Sequence, residues 1–426
     1  MTSTLTVADR RRAALERLHG TPGRSTPVGR PGTAPRRRPA RSSSTSSRAA
    51  RTPRPVVREE LGPPPGTYYA IAGVVTVLVM LGLVMVLSAS AVTEANLGHS
   101  PYRVFGRQAM WATLGLFALL IVARLPYGSW RKAAIPLGLL SVAAMAAPFA
   151  PGIGANVNGA TSWVRLGPLS AQPSEFLKLV VVLLVADLLT RRHDRLTDHR
   201  AALLPVAVVA FVGAGLCLAQ GDLGSAVVLG AVVFSVAWMA GVPAIPLAGV
   251  VGVAAVSALM FVVSSPRRLD RFTSFLNVAE EKDRAAYQTY QGFLSMANGG
   301  LTGSGIGGSR GKLGYLPYAH SDFIFAVIAD ELGMIGTVAV IGGFILLVGL
   351  GIQTALATPD RFGMLVAGGV AAWFGVQAIV NLGGVTGLMP VTGLTLPFFS
   401  SGGSSLFVSM IAAGMLLSIA RRVTTT

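Results

Sequence analysis

Five carboxylates and one lysine stand in or beside long apolar runs of this 426-residue chain: Glu175, Lys178, Asp222, Asp322, Asp330 and Glu331. A charged side chain at the middle of a bilayer costs about 2.5–3.5 kcal/mol on insertion scales, so each of these should face protein or water. The question is sharpest in YLPYAHSDFIFAVIADELG, 315–333, where His320, Ser321 and Asp322 open an apolar stretch. Asp322, with Ser321 as competitor, could cap the helix that begins there. Capping alone does not require His320 or the Tyr-Leu-Pro run before it, and a carboxylate at a water boundary can also exchange protons or balance a cation. Glu175 and Lys178, three apart, share a helix face and can pair, as a structural staple or as part of a site. Asp222, in QGDLGS, stands where one apolar run turns into the next and is either an N-cap or a site residue. Asp330 lies about 12 Å further along the helix from Asp322, Glu331 points the opposite way, and both read as polar residues of helix packing.

The elements that must position these groups follow from composition. The chain is 52% hydrophobic and 12% charged, with 51 Gly and 25 Pro, which excludes an ordinary soluble domain. A membrane span needs about 20 mostly apolar residues. Ten stretches qualify: 69–89, 107–123, 133–150, 175–190, 202–219, 223–241, 246–264, 323–350, 363–382 and 404–420. The expected fold is an all-α polytopic membrane protein of about ten transmembrane helices, with a large extracytoplasmic loop (265–321) between helices 7 and 8. Arg-rich turns at 124–132 and 191–200, and Arg421 and Arg422, put both termini in the cytoplasm by the positive-inside rule. Residues 151–174, 265–321 and 383–403 then share the outer side.

Residues 1–66 hold 14 Arg, no Lys and 4 acids among Pro, Ser, Thr and Gly. Such a segment cannot bury a core and reads as a disordered basic cytoplasmic tail rather than a transit peptide. No apolar core followed by a small-residue cleavage site precedes the first span, which is expected to remain as an anchor. The expected domains are thus the tail, a transmembrane domain at 67–422 and a short cytoplasmic end at 423–426. The single cysteine, Cys217, excludes an intrachain disulfide. GSGIGG (303–308) fits G-x-G-x-x-G, yet no strand precedes it, so its glycines are expected to make tight turns.

Four stretches then identify a family. NGATSWVRLGPLSAQPSEFLKL (158–179), QGDLGS (220–225), YLPYAHSDFIFAVIADELG (315–333) and NLGGVTGLMPVTGLTLPFFSSGGSS (381–405) resemble, in sequence and in order, the motifs of the SEDS family of shape, elongation, division and sporulation proteins. The resemblance implies a peptidoglycan glycosyltransferase that polymerises lipid II at the outer face of the bacterial cytoplasmic membrane, beside a class B penicillin-binding protein. It implies that Asp322 is the essential aspartate and that Glu175, Lys178 and Asp222 line a central cavity. Arg165, His320, Ser321, Ser400 and Ser404 are the further substrate contacts, and a divalent cation, Mg or Mn, is held partly by Asp322. Ala319 stands where the elongation branch carries Arg. With the basic tail, this is closer to the division branch, septal location and contacts from the tail to other division proteins. Gly221 replaces the usual Pro, and Tyr318 a frequent Glu. Nucleic acid is not an expected partner.

The implied reaction is attack by an acceptor-sugar hydroxyl on the anomeric carbon of a sugar carried by a polyprenyl diphosphate. A positioned carboxylate that takes the hydroxyl proton raises its rate. The diphosphate needs countercharge rather than a proton, for which Arg165, Lys178, Arg267, Arg268, Arg271, Arg310 and Lys312 are candidates. Direct displacement inverts the anomeric carbon. The alternatives are a lipid II flippase, an elongation-branch polymerase and a division scaffold without catalysis.

Overall fold

A computed structural model describes residues 64–423 except 158, 159, 168, 282, 284, 285, 310 and 314. The tail, and Arg310 with it, lies outside the described residues, as does the side chain of Arg267.

Each of the ten expected spans coincides with a helix. In chain order these are α1 (Gly66–Asn96), α2 (Arg103–Arg124), α3 (Gly128–Ala144), α4 (Pro173–Arg191), α5 (Leu204–Ala219), α6 (Leu223–Met239) and α7 (Ala244–Val263). Two shorter helices, α8 (Pro266–Ser274) and α9 (Tyr287–Gly299), precede α10 (Ile324–Ala357), α11 (Arg361–Val385) and α12 (Ser404–Ala420). Among the described residues, seven helices are long and apolar enough to cross a membrane, and α6 and α12 are shorter apolar helices. Helix α4 has the length, but Glu175, Lys178, Asp187 and Arg191 interrupt its apolar run.

Burial sorts the helices. Helices α4, α11 and α12 are apolar on all sides and bury most of their residues, as expected of helices at the centre of a bundle. Helix α12 packs along α2, α11 against α10 and α6, and α4 against α3 and α6. Helix α7 buries only Leu247 and Val262; its remaining apolar surface suits lipid, where the helix satisfies its own backbone.

Two features depart from plain helices. Residues 154–171 form a three-stranded antiparallel sheet, β1 (Gly154–Val157), β2 (Ala160–Leu166) and β3 (Leu169–Ala171), in the order β1-β2-β3. Strand alternation turns Ser162 and Val164 inward and leaves Arg165 on the opposite, exposed face. The all-helical expectation therefore holds for the spans and gains a sheet outside them. The second departure is in α10, where Gly333 has φ 65 and ψ −161, a conformation open to glycine. The backbone of 300–305 fills this break: Ser304 N donates to Asp330 O (2.8 Å), Gly305 N to Glu331 O (3.0 Å) and Met334 N to Gly300 O (2.9 Å). A Cβ on Gly303 would lie 2.1 Å from the Glu331 carbonyl oxygen, so the glycine run serves close approach as well as turning.

Candidate functional site

The segments between spans converge on one cavity of about 810 Å³. Strand β2 and Gln172 form one part, α8 another, the turn 318–322 a third, and residues 391–403 a fourth. Five arginines (Arg103, Arg107, Arg165, Arg268 and Arg271) and two carboxylates (Asp222 and Asp322) line it, with His320 and Ser321. The excess of fixed positive charge suits a ligand with several negative charges.

Asp322 does not cap α10, whose N-cap is Phe323 with no side-chain cap bond. Its carboxylate Oδ1 accepts from Ser321 Oγ at 2.9 Å, while its own N–H donates to that hydroxyl at 2.6 Å. Loss of hydration pushes the Asp322 carboxyl up to about 6; the Ser321 hydrogen bond and the Arg271 charge oppose that rise. It is therefore mostly ionised at neutral pH and close to the range in which a base works best. Burial pulls His320 below its usual value, Glu94 opposes that shift and Arg107 adds to it, so the ring is neutral at pH 7.

Asp222 does two things at once. Its Oδ1 accepts from Ser225 N at 2.9 Å and caps α6, while Oδ2 accepts from Gln172 Nε2 at 2.8 Å and borders the cavity. Arg268 is held by the end of α7, with its guanidinium 3.7 Å from the Phe261 ring centroid and a 2.9 Å bond to the Phe261 carbonyl.

Other expected site residues lie behind the cavity wall rather than on it. Glu175 and Lys178 are each 1% exposed. Lys178 Nζ donates to Glu175 at 2.9 Å and to Gln377 Oε1 at 2.8 Å, and Gln377 Nε2 donates to Thr395 O at 2.9 Å. Gln377 and Thr395, a wall residue, connect the pair to the cavity. Ser404 Oγ accepts from Gln172 N at 3.0 Å. The Ser400 hydroxyl donates to Ser321 O at 2.7 Å and accepts from Leu396 N at 2.8 Å, so it serves the protein rather than the cavity. Lys312 is also placed elsewhere, since it is buried and bonds Glu331 Oε1 at 2.9 Å, with Ser88 donating to the same carboxylate at 2.7 Å. Asp330 accepts from Asn298 at 2.7 Å. Asp330 and Glu331 thus fasten the broken helix, as their packing role required.

The sequence reading missed Arg103 and Arg107. Their i, i+4 spacing at the head of an apolar run was the available signal, and it resembled an ordinary charged flank. It also missed Gln108, Gln377 and Asn381, isolated amides in apolar helices with no motif to mark them.

Among the described residues no group of three or more His, Cys, Asp or Glu could form a metal cage. The fit is of a different kind: Asp322, one of the two carboxylates that line the cavity, matches Mg²⁺ chemistry, in which one or two carboxylates share the ion with substrate phosphates.

Residues 69–425 match the FtsW/RodA/SpoVE family of cell cycle proteins, and the chain belongs to that family. It is 40% identical over 345 residues to a probable peptidoglycan glycosyltransferase FtsW of Trichlorobacter lovleyi, covering 81% of this chain and 91% of that protein. Stage V sporulation protein E of Bacillus subtilis is 35% identical over 351 residues, 82% of this chain and 95% of the relative. Among solved structures, a chain from a peptidoglycan synthase complex described as coordinating polymerization and crosslinking superposes with a TM-score of 0.68. It has 30% identity and covers 83% of this chain and 97% of that one. The rod shape determining protein RodA of Thermus thermophilus gives a TM-score of 0.61 at 28% identity, over 84% and 98% of the two chains.

Proposed function

We propose that this protein is a peptidoglycan glycosyltransferase that polymerises lipid II into glycan strands at the outer face of the cytoplasmic membrane, during septal wall synthesis. The observation that carries this reading is one cavity lined by Asp322 and five arginines. Asp322 takes the proton from the acceptor hydroxyl as its oxygen bonds to the anomeric carbon. The bond from that carbon to the diphosphate breaks on the opposite side, and the leaving group carries away the electron pair. Arginines of the cavity neutralise it, and the α-linked donor becomes a β-linked product. Asp322 would hold a divalent cation, which would supply further countercharge for the diphosphate.

The working partner in this reading is a class B penicillin-binding protein; likeness to a chain of a synthase complex supports it. FtsW relatives support the division role, with cytoplasmic termini and other division proteins meeting the tail. The test is direct: the purified protein with its transpeptidase partner, given lipid II, should yield glycan polymer, and Asp322→Asn should polymerise at least about 100-fold more slowly while inserting normally. Polymer from a well-folded Asp322→Asn protein at the wild-type rate would remove Asp322 as the base.

A further inference from the structure

Three consecutive peptide carbonyls in the Asp322 turn accept hydrogen bonds from one side of the bundle. His320 O accepts from Ser401 N at 3.0 Å, Ser321 O from Ser400 Oγ at 2.7 Å, and Asp322 O from Asn381 Nδ2 at 3.0 Å. Asn381, on α11, also donates from the same nitrogen to Leu394 O at 2.7 Å. Its side chain ties the Asp322 peptide to the 391–394 stretch, which itself borders the cavity. It is 5% exposed and is not among the residues that line the cavity.

The choice of residue at 381 is informative. A primary amide supplies two N–H donors from one atom, serine supplies one, and an ionised aspartate none. The other end of the amide, Oδ1, has no partner among the described residues, and Asn381 borders a small space of about 10 Å³ that Asp322 also lines. A buried acceptor without a partner is costly, and a space of this size is at the lower bound for one water, about 10–15 Å³. An apolar residue would remove that orphaned acceptor but would take the Nδ2 donors from the Asp322 and Leu394 carbonyls. What the asparagine supplies in return is the pair of donated bonds.

We propose that Asn381 is a positioning residue for glycosyl transfer: its two N–H bonds fix the Asp322 peptide against residues 391–394, and so fix where the Asp322 carboxylate meets the acceptor hydroxyl. The proposal rests on Asp322 being the base. Misplacement of a reacting group by about 1 Å can cost about 100-fold in rate. The turn would lose this restraint without any change in the groups that bind substrate.

The experiment uses the full chain with its transpeptidase partner, carrying Asn381→Leu, which removes both donors, or Asn381→Ser, which keeps one. Lipid II binding counts the competent sites, and polymerisation is expressed as turnover per site. Turnover per site should fall about 100-fold in Asn381→Leu and by less in Asn381→Ser, with Kd and KM within about twofold of wild type. A purely structural role lowers the number of binding sites and the Tm but leaves turnover per site unchanged. Wild-type turnover per site would overturn the proposal, and so would a KM that rises in step with the loss. Failure of both variants to give substrate-binding protein makes Asn381 a folding residue and overturns it equally. Wild type and Asp322→Asn run in parallel separate the two ideas: an active Asp322→Asn protein sinks the base assignment, whereas an inactive one beside active Asn381 variants sinks only the positioning role.

Discussion

Asp322 and Glu175 are both carboxylates at the start of a long helix, yet they differ in what satisfies their charge. Glu175 is enclosed with Lys178, Gln377 and Trp373; Trp373 Nε1 donates to Gln377 Oε1 at 2.7 Å. Asp322 has one side-chain hydrogen bond, from Ser321, and its cations stand around a cavity that a substrate can enter. A carboxylate whose partners are all internal is a fastening. One whose countercharges stand across an open cavity keeps a free face for a substrate proton.

The largest effect that tests this contrast is at Asp322. Asp322→Asn keeps size but cannot take a proton, so polymerisation should fall by about 10²–10⁴-fold, with elution profile and partner binding unchanged. Next in size, Glu175→Gln or Lys178→Met alone leaves a buried charge unpaired and should cost about 3–5 kcal/mol of stability, read as a lowered Tm and less monodisperse protein. Replacing both, Glu175→Leu with Lys178→Met, should restore yield and most of the activity, because Gln377 Oε1 keeps its bond from Trp373. An inactive but well-folded double variant would move the pair into the chemistry and erase the contrast.

A smaller effect concerns pH. A base must be unprotonated, so with Asp322 near 6 the turnover rate should fall as pH drops through 6, by about tenfold per unit below it. Arg271 holds that value down, so in Arg271→Gln the acid limb should move to higher pH. A limb that stays in place would separate Arg271 from Asp322. The smallest effect is expected from the tail: deleting residues 2–60 should leave polymerisation in liposomes near wild type while weakening recruitment to the septum.

The spans were legible because length and hydropathy are local properties, and all ten expected stretches became helices. Asp322, Asp222 and Arg165 were legible as cavity residues through motif resemblance. The sheet was not, because β1 has four residues and β3 three, too few to show a long alternating run. Lys312 was misassigned because its partner, Glu331, lies 19 positions away, just before a helix break that nothing in ELGMIG announces. Asn381 and Ser400 escaped a role in the turn because they act on main-chain carbonyls, whose acceptors are the same for any side chain.

The filled break in α10 bears on how the chain is assembled. Until residues 300–305 dock, the carbonyls of Asp330 and Glu331 lack the bonds from Ser304 and Gly305, and open backbone groups are expensive in lipid. The docking segment precedes α10 in the chain, so ribosomal order delivers the plug before the helix that needs it. The two halves of α10 and the segment that completes them therefore form one hydrogen-bonded unit, in which neither part satisfies its backbone without the other.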